Sequence, residues 1–196
     1  MGKSGKKSLW QIFVGKWNLH TVIAVAVGAV VYGLLAAFAE VPIFTNQHLA
    51  LAMIVPVLMA ALYGPSQTMA TMFIGYFIGA LLDNEGLFFD LAIGGALLGL
   101  FVALLPYYGV HVKRGVFTPK HALIYAVCCV LGNAIAFGLI GPLFNALMYS
   151  AEQESALTST FLAHIYPSGF GNTAVLVVLG IPLLIVLANA FKKQRS

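Results

Sequence analysis

The sequence predicts an all-α integral membrane protein, six transmembrane helices in one bundle with both ends on the cytoplasmic side. Three observations lead there. The chain has 196 residues, 61% of them hydrophobic and only 8% charged, whereas a soluble domain carries about 25% charged residues. So few charges cannot clothe a water-facing surface, so lipid must solvate the chain. Its apolar residues fall in long unbroken runs, not in the alternating segments of about ten residues that mark a transmembrane barrel. At roughly 20 residues per helix, these runs give about six spans. Finally, basic and acidic residues alternate between successive connections, which sets both the parity and the orientation.

The first span covers residues 19–39, with Lys16 and Trp17 as a cation and an interfacial aromatic at its start. The second covers 49–63 and ends at the tight turn Gly64-Pro65-Ser66. The third covers 67–82; like the second it is short, which suits a tilted or partly re-entrant helix. Asp83-Asn84-Glu85-Gly86 makes a polar turn into the fourth span, 87–107. A basic connection over 109–120 leads to the fifth, 121–149, where Gly141-Pro142 predicts a kink. A polar loop over 150–160 precedes the sixth span, 171–191, whose internal Pro182 a membrane helix tolerates. The whole chain, 1–196, reads as a single membrane domain: a basic cytoplasmic head (1–18), the bundle (19–191) and a basic tail (192–196). The start lacks a small-residue cleavage site and reads as a retained head, not a signal peptide.

All ten basic residues fall in three segments: Lys3, Lys6, Lys7 and Lys16 before the first span, Lys113, Arg114 and Lys120 between the fourth and fifth, and Lys192, Lys193 and Arg195 after the sixth. With an even number of spans these share one side, which the positive-inside rule makes the cytoplasm. The six acids, Glu40, Asp83, Glu85, Asp90, Glu152 and Glu154, fall in or beside the outer connections. The net charge of +4 therefore speaks of orientation and of anionic headgroups, not of nucleic acid.

No catalytic pattern is present: no HExxH, no GxSxG and no phosphate-binding P-loop. The histidines are scattered, Cys128 and Cys129 adjoin each other in an apolar run, and no metal site is expected. Without paired carboxylates in the span cores there is no proton relay. The chain reads as neither enzyme nor self-powered pump.

What remains is a set of polar and aromatic residues on the outer side. Phe44, Asn46, Gln47 and His48 follow the first span, Asn84, Phe88 and Phe89 follow the third, and His164, Tyr166 and Asn172 precede the sixth. Together they would make a concave, aromatic, sparsely polar small-molecule site. Wet loops with an interfacial aromatic belt would have the same composition. Small residues are spaced for close helix contact: Ala24, Gly28, Ala29 and Gly33 in the first span, Gly75 and Gly79 in the third, Gly95 and Gly99 in the fourth. Internal packing accounts for most of them; the stripe on the first span would also suit a docked partner helix.

Four stretches carry a family resemblance: residues 22–33 (VIAVAVGAVVYG), 56–65 (PVLMAALYGP), 94–99 (GGALLG) and 172–182 (NTAVLVVLGIP). In order and spacing the chain resembles the S components of energy-coupling factor (ECF) transporters, the vitamin-capture subunits of a class of ABC importers, and most of all the riboflavin-type branch. The resemblance implies a six-helix S-component-like bundle in the cytoplasmic membrane of a prokaryote and an outer ligand pocket capped by the loop after the first span. It also implies a transmembrane coupling subunit and two cytoplasmic ATPases as partners. The coupling subunit would dock on Ala24, Gly28 and Ala29, and delivery would be by toppling of the loaded subunit, with ATP hydrolysis on the partner chains. No cofactor is bound permanently; the vitamin is the ligand. The amide-rich outer set favours cobalamin as substrate, with riboflavin or a thiamine precursor as alternatives. A non-transport assembly subunit or an electron-transfer subunit is the alternative class.

Overall fold

The structure, a computed structural model, describes residues 8–44, 47–83, 89–149 and 166–195. A short helix, α1 (Leu9–Val14), precedes α2 (Leu19–Phe38). A hairpin of β1 (Glu40–Phe44) and β2 (Gln47–Ala50) and a 3-10 turn (Leu51–Met53) lead into α3 (Ile54–Leu62). Then follow α4 (Pro65–Asp83) and α5 (Phe89–Val102), two 3-10 turns (Leu105–Tyr108 and Val112–Arg114), and α6 (Pro119–Ile135). A π-helical segment (Ala136–Ile140) joins α6 to α7 (Gly141–Tyr149). A second one (Val175–Leu179) joins α8 (Tyr166–Ala174) to α9 (Gly180–Lys193). The polar loop expected over 150–160 lies outside the described residues.

Among the described residues, four helices are long and apolar enough to cross a membrane: Leu19–Phe38, Phe89–Tyr108, Pro119–Asn145 and Gly171–Lys193. Their outward faces are apolar, as lipid requires; Val22, Val27 and Val30 on α2, Leu123, Val127 and Val130 on α6, and Ile185 and Val186 on α9 are all exposed. The other two expected spans differ for identifiable reasons. The helix α4 has 19 residues, enough for a ~30 Å hydrocarbon core. Its hydropathy is lowered by Gln67, Thr68 and Thr71, which are fully buried and face inward. The apolar helical stretch Leu51–Leu62 is short and rises only ~18 Å at 1.5 Å per residue. The hairpin stands beside its start, where the sequence predicted only a loop.

Small residues set the packing distances. A Cβ on Gly75 of α4 would lie 2.7 Å from Tyr32 Cδ1 and 2.9 Å from the Ala29 carbonyl of α2, and one on Gly33 would lie 2.6 Å from Ile78 Cγ2. One on Gly99 of α5 would lie 2.9 Å from Met72 Sδ. These glycines serve internal helix contact.

The kink predicted at Gly141-Pro142 takes the form of the π-helical segment just before it. A proline has no N–H for the carbonyl four residues back, which for Pro142 is that of Gly138. Pro182 likewise leaves the Val178 carbonyl without that donor. Both carbonyls fall inside π-helical segments, where the ladder is already reset to a longer repeat.

One end of the bundle gathers the basic connections. There Gly15 takes a left-handed φ of 64° that suits glycine and turns α1 back against α4. Gln67 Nε2 donates to the Val14 carbonyl at 3.0 Å, Ser66 Oγ to the same carbonyl at 2.8 Å, and Trp17 Nε1 to Ser66 Oγ at 3.0 Å. The opposite end holds the hairpin and the described acids Glu40, Asp83 and Asp90.

Candidate functional site: a cavity at the acidic end of the bundle

A cavity of about 130 Å³ opens at the acidic end, between the C-terminal turns of α2 and α4, the hairpin, and the π-helical segment after α6. The short α3 makes room for it, since Ala50, Ala52 and Met53 line the cavity where a longer helix would continue. Tyr32 and Tyr76 face it from α2 and α4, and Phe137 from the π-helical segment. Its polar groups are Glu40, Asp83 and Asn172. Ala36, Gly79 and Ala80 complete the wall as small residues beside the half-buried Tyr76, with Tyr32 buried behind it.

Each wall is held from behind. Tyr32 is buried beside Gly75, and only a glycine at that position admits its ring. Phe137 lies against Gly94, where a Cβ would come within 2.9 Å of Cε1. Asn172 is set by its neighbour Thr173, whose Oγ1 accepts from Asn133 Nδ2 at 3.0 Å, while the same nitrogen donates to the Cys129 carbonyl at 3.2 Å. Nearby, Asp90 is buried and accepts from Asn145 Nδ2 at 2.9 Å.

Of the ten ligand candidates, Asn172 lines the described cavity. His48, on β2, stands at its rim: Nδ1 lies 3.1 Å from Glu40 Oε2, and both side chains are about half exposed. Phe89 is exposed and packs edge-on against Phe77 with ring centroids 5.1 Å apart, away from the cavity walls. Asn46, Asn84, Phe88 and His164 lie outside the described residues, as do the side chains of Phe44, Gln47 and Tyr166. The cavity-lining Tyr32, Tyr76 and Phe137 were missed by the sequence reading, which placed Glu40 and Asp83 on the outer side without counting them among the ligand candidates. A signal existed for the tyrosines: each is the one tyrosine of its helix, an aromatic with a polar end next to a glycine, Gly33 or Gly75, that lets the partner helix come close.

A second concavity, a lateral groove of about 400 Å³, runs along α2 and α3. Ala24, Val27, Gly28 and Val31 line one side and Val55, Leu58 and Met59 the other, with His20 and Tyr63 at its basic end. Ala29 lies elsewhere, fully buried, with its backbone against Gly75 of α4.

Comparison with known proteins identifies the lineage. Residues 16–189 match the family described as "ECF-type riboflavin transporter, S component". The chain belongs to this family. It is also similar to UPF0397 proteins from several bacteria. One from Aliivibrio salmonicida is 30% identical over 182 residues, covering 91% of this chain and 95% of the relative. One from Lactobacillus gasseri is 29% identical over 182 residues, covering 91% and 94%. One from Vibrio vulnificus is 28% identical over 183 residues, covering 91% and 96%. No solved structure matches the chain.

An S component is a non-catalytic transport subunit, and the family's general architecture joins it to a membrane coupling subunit and ATPase components. The family also corrects one expectation: the match is to the riboflavin-type S component, not to a cobalamin-binding one. The case for cobalamin rested on a broad set of amides. Among the described residues the cavity presents one amide, Asn172, against three aromatic rings and two carboxylates.

Proposed function

We propose that this S component captures riboflavin at the outer face of the cytoplasmic membrane and hands it to an ECF importer. In this reading the chain crosses the bilayer six times, with α3 as a short span and both ends in the cytoplasm. The observation that carries the substrate assignment is the make-up of the cavity in a chain of the riboflavin-type family. A flat tricyclic isoalloxazine stacks on the half-buried ring of Tyr76, with the buried rings of Tyr32 and Phe137 backing the wall. The hydroxyls of a ribityl chain donate to carboxylates such as Glu40 and Asp83, and the Asn172 amide both donates and accepts.

The hairpin at the cavity rim serves as the cap expected after the first span. The lateral groove lined by Ala24 and Gly28 is the docking face for the coupling subunit, a transmembrane helix being the natural occupant of an apolar concavity on the lipid side. Ala29 uses its small size inside the bundle. The chain itself has no nucleotide-binding motif, so the energy comes from two ATPases on partner chains, and toppling delivers the vitamin.

Titration of the purified chain with a panel of riboflavin, thiamine and pantothenate, read by quenching of flavin or tryptophan fluorescence, tests the assignment. Saturable riboflavin binding at one site, and ATP-dependent accumulation in vesicles holding the whole complex, are expected. Riboflavin binding no tighter than the rest of the panel overturns the substrate. Failure to recover a coupling subunit and ATPases on gentle purification overturns the transport role.

A further inference from the structure

A cavity of about 160 Å³ lies at the basic end, between the end of α3 and the connection from α5 to α6. His111, Lys113 and Arg114 line it from the connection, and Tyr63 lines it from the turn after α3. Lys113 Nζ stands over the Tyr63 ring, 5.4 Å from its centroid. The inner wall is apolar, with Leu105 and Val110 buried.

The connection is held in shape. Gly109 and Gly115 take left-handed φ values of 86° and 75°, and His111 and Val116 exchange backbone hydrogen bonds of 3.3 and 3.2 Å. Gly115 packs so closely on α9 that a Cβ there would lie 2.8 Å from Lys192 Cβ. The cations are thus presented on a braced turn and not on a free loop.

Lys113 lies over the Tyr63 ring, but no described carboxylate pairs with the charge of Lys113 or Arg114. No carboxylate lines the cavity. The described acids all lie at the opposite end, and among the described residues the one close histidine–carboxylate contact is His48 with Glu40, at that end. The cavity also sits at headgroup depth, because the exposed Trp17 and Tyr107 mark the same end as interfacial aromatics. Fixed cations around a pocket with an apolar back wall, at the level where lipid phosphates reside, are complementary to an anionic headgroup with its glycerol and first acyl carbons.

We propose that this cavity binds the phosphate of an anionic phospholipid headgroup, with Lys113 and Arg114 as the charge partners and the Tyr63 side as the opposing wall. The site is separate from the vitamin cavity and does not rest on the identity of the vitamin. The lipid would anchor the basic end in the inner leaflet, beside the mouth of the lateral groove with which it shares Tyr63.

The full chain, purified and delipidated, is titrated with phosphatidylglycerol and with phosphatidylcholine of the same acyl chains, and bound lipid is counted by native mass spectrometry. At least tenfold preference for phosphatidylglycerol is expected. The exposed pair Lys113→Gln and Arg114→Gln should reduce that preference to within twofold, and each single change should reduce it in part. Lys120→Gln, a basic residue outside the cavity, should leave it intact. Riboflavin binding by the double variant should be unchanged, which separates failure of this proposal from failure of the transport reading. Equal retention of the two lipids, or a preference that survives the double substitution, overturns the proposal. So does a site filled by millimolar inorganic phosphate while phosphatidylglycerol fails to bind.

Discussion

Gly171, in the helix that enters the last apolar segment, lies directly against the backbone carbonyl of His48 on the second strand of the hairpin. A Cβ at position 171 would overlap that carbonyl. The hairpin is thereby seated on α8, next to Asn172, and this seat keeps it at the rim of the cavity. Gly171→Ala should lift the hairpin from α8 and weaken riboflavin binding by at least tenfold, with helical content by circular dichroism unchanged. Unaltered affinity would mean that the hairpin does not cap the site.

Tyr76 and Asn172 contribute to binding in different ways. An aromatic stacking pair is worth about 0.5–1.5 kcal/mol beyond its area, so Tyr76→Ala should raise the riboflavin Kd by about two- to twelvefold through lost stacking, and by more once buried area is included. Asn172→Ala leaves any ligand group it serves buried and unpaired, a loss of about 1–3 kcal/mol, or about five- to 150-fold in Kd. Equilibrium titration of the two variants checks both figures. Tyr76→Phe should bind close to the parent if the ring and not the hydroxyl carries the interaction.

The contact between Tyr32 and Gly75 should govern the stability of the bundle. Because a Cβ on Gly75 would come within 2.7 Å of the Tyr32 ring and 2.9 Å of the Ala29 carbonyl, Gly75→Ala overpacks the joint between α2 and α4. Such overpacking costs about 1–3 kcal/mol. Thermal unfolding in detergent should show a lower midpoint, with loss of riboflavin affinity following from the displaced Tyr32.

Asp90 depends on Asn145. The carboxylate is buried, and one oxygen accepts from the Asn145 amide at 2.9 Å. The other oxygen has no protein partner among the described residues. Asn145→Ala removes the one described hydrogen bond to a buried acid and should destabilise the protein by about 1–3 kcal/mol or more. The double substitution Asn145→Ala with Asp90→Ala should recover part of that loss. A thermal-unfolding double-mutant cycle would expose the coupling.

The lateral groove gives a prediction about assembly. Ala24→Trp fills the concavity between α2 and α3 without touching the outer cavity. Co-purification with the coupling subunit should be lost, while riboflavin binding by the isolated chain persists. Retained co-purification would move the docking face elsewhere.

The sequence by itself determined the class of protein, an all-α membrane bundle, and its two unlike ends. These are one-dimensional properties: an apolar run is read residue by residue, and charge segregation needs only the parity of the spans. The turn at Gly64-Pro65, the irregular geometry near Pro142 and the S-component pattern over residues 22–33, 56–65, 94–99 and 172–182 were legible for the same reason. Only the tertiary structure decided which residues meet. Tyr32, Tyr76, Phe137 and Asn172 come from α2, α4, the segment after α6, and α8, and nothing in their local sequence says that they share a wall. That depends on helix rotation, which Gly33, Gly75 and Gly94 set by admitting side chains that any larger residue would repel. In the same way Ala24 and Ala29 look equivalent in the sequence. Helix geometry turns one toward the lateral groove and the other into the contact with α4, because five residues advance a helix by about 500° and not by whole turns.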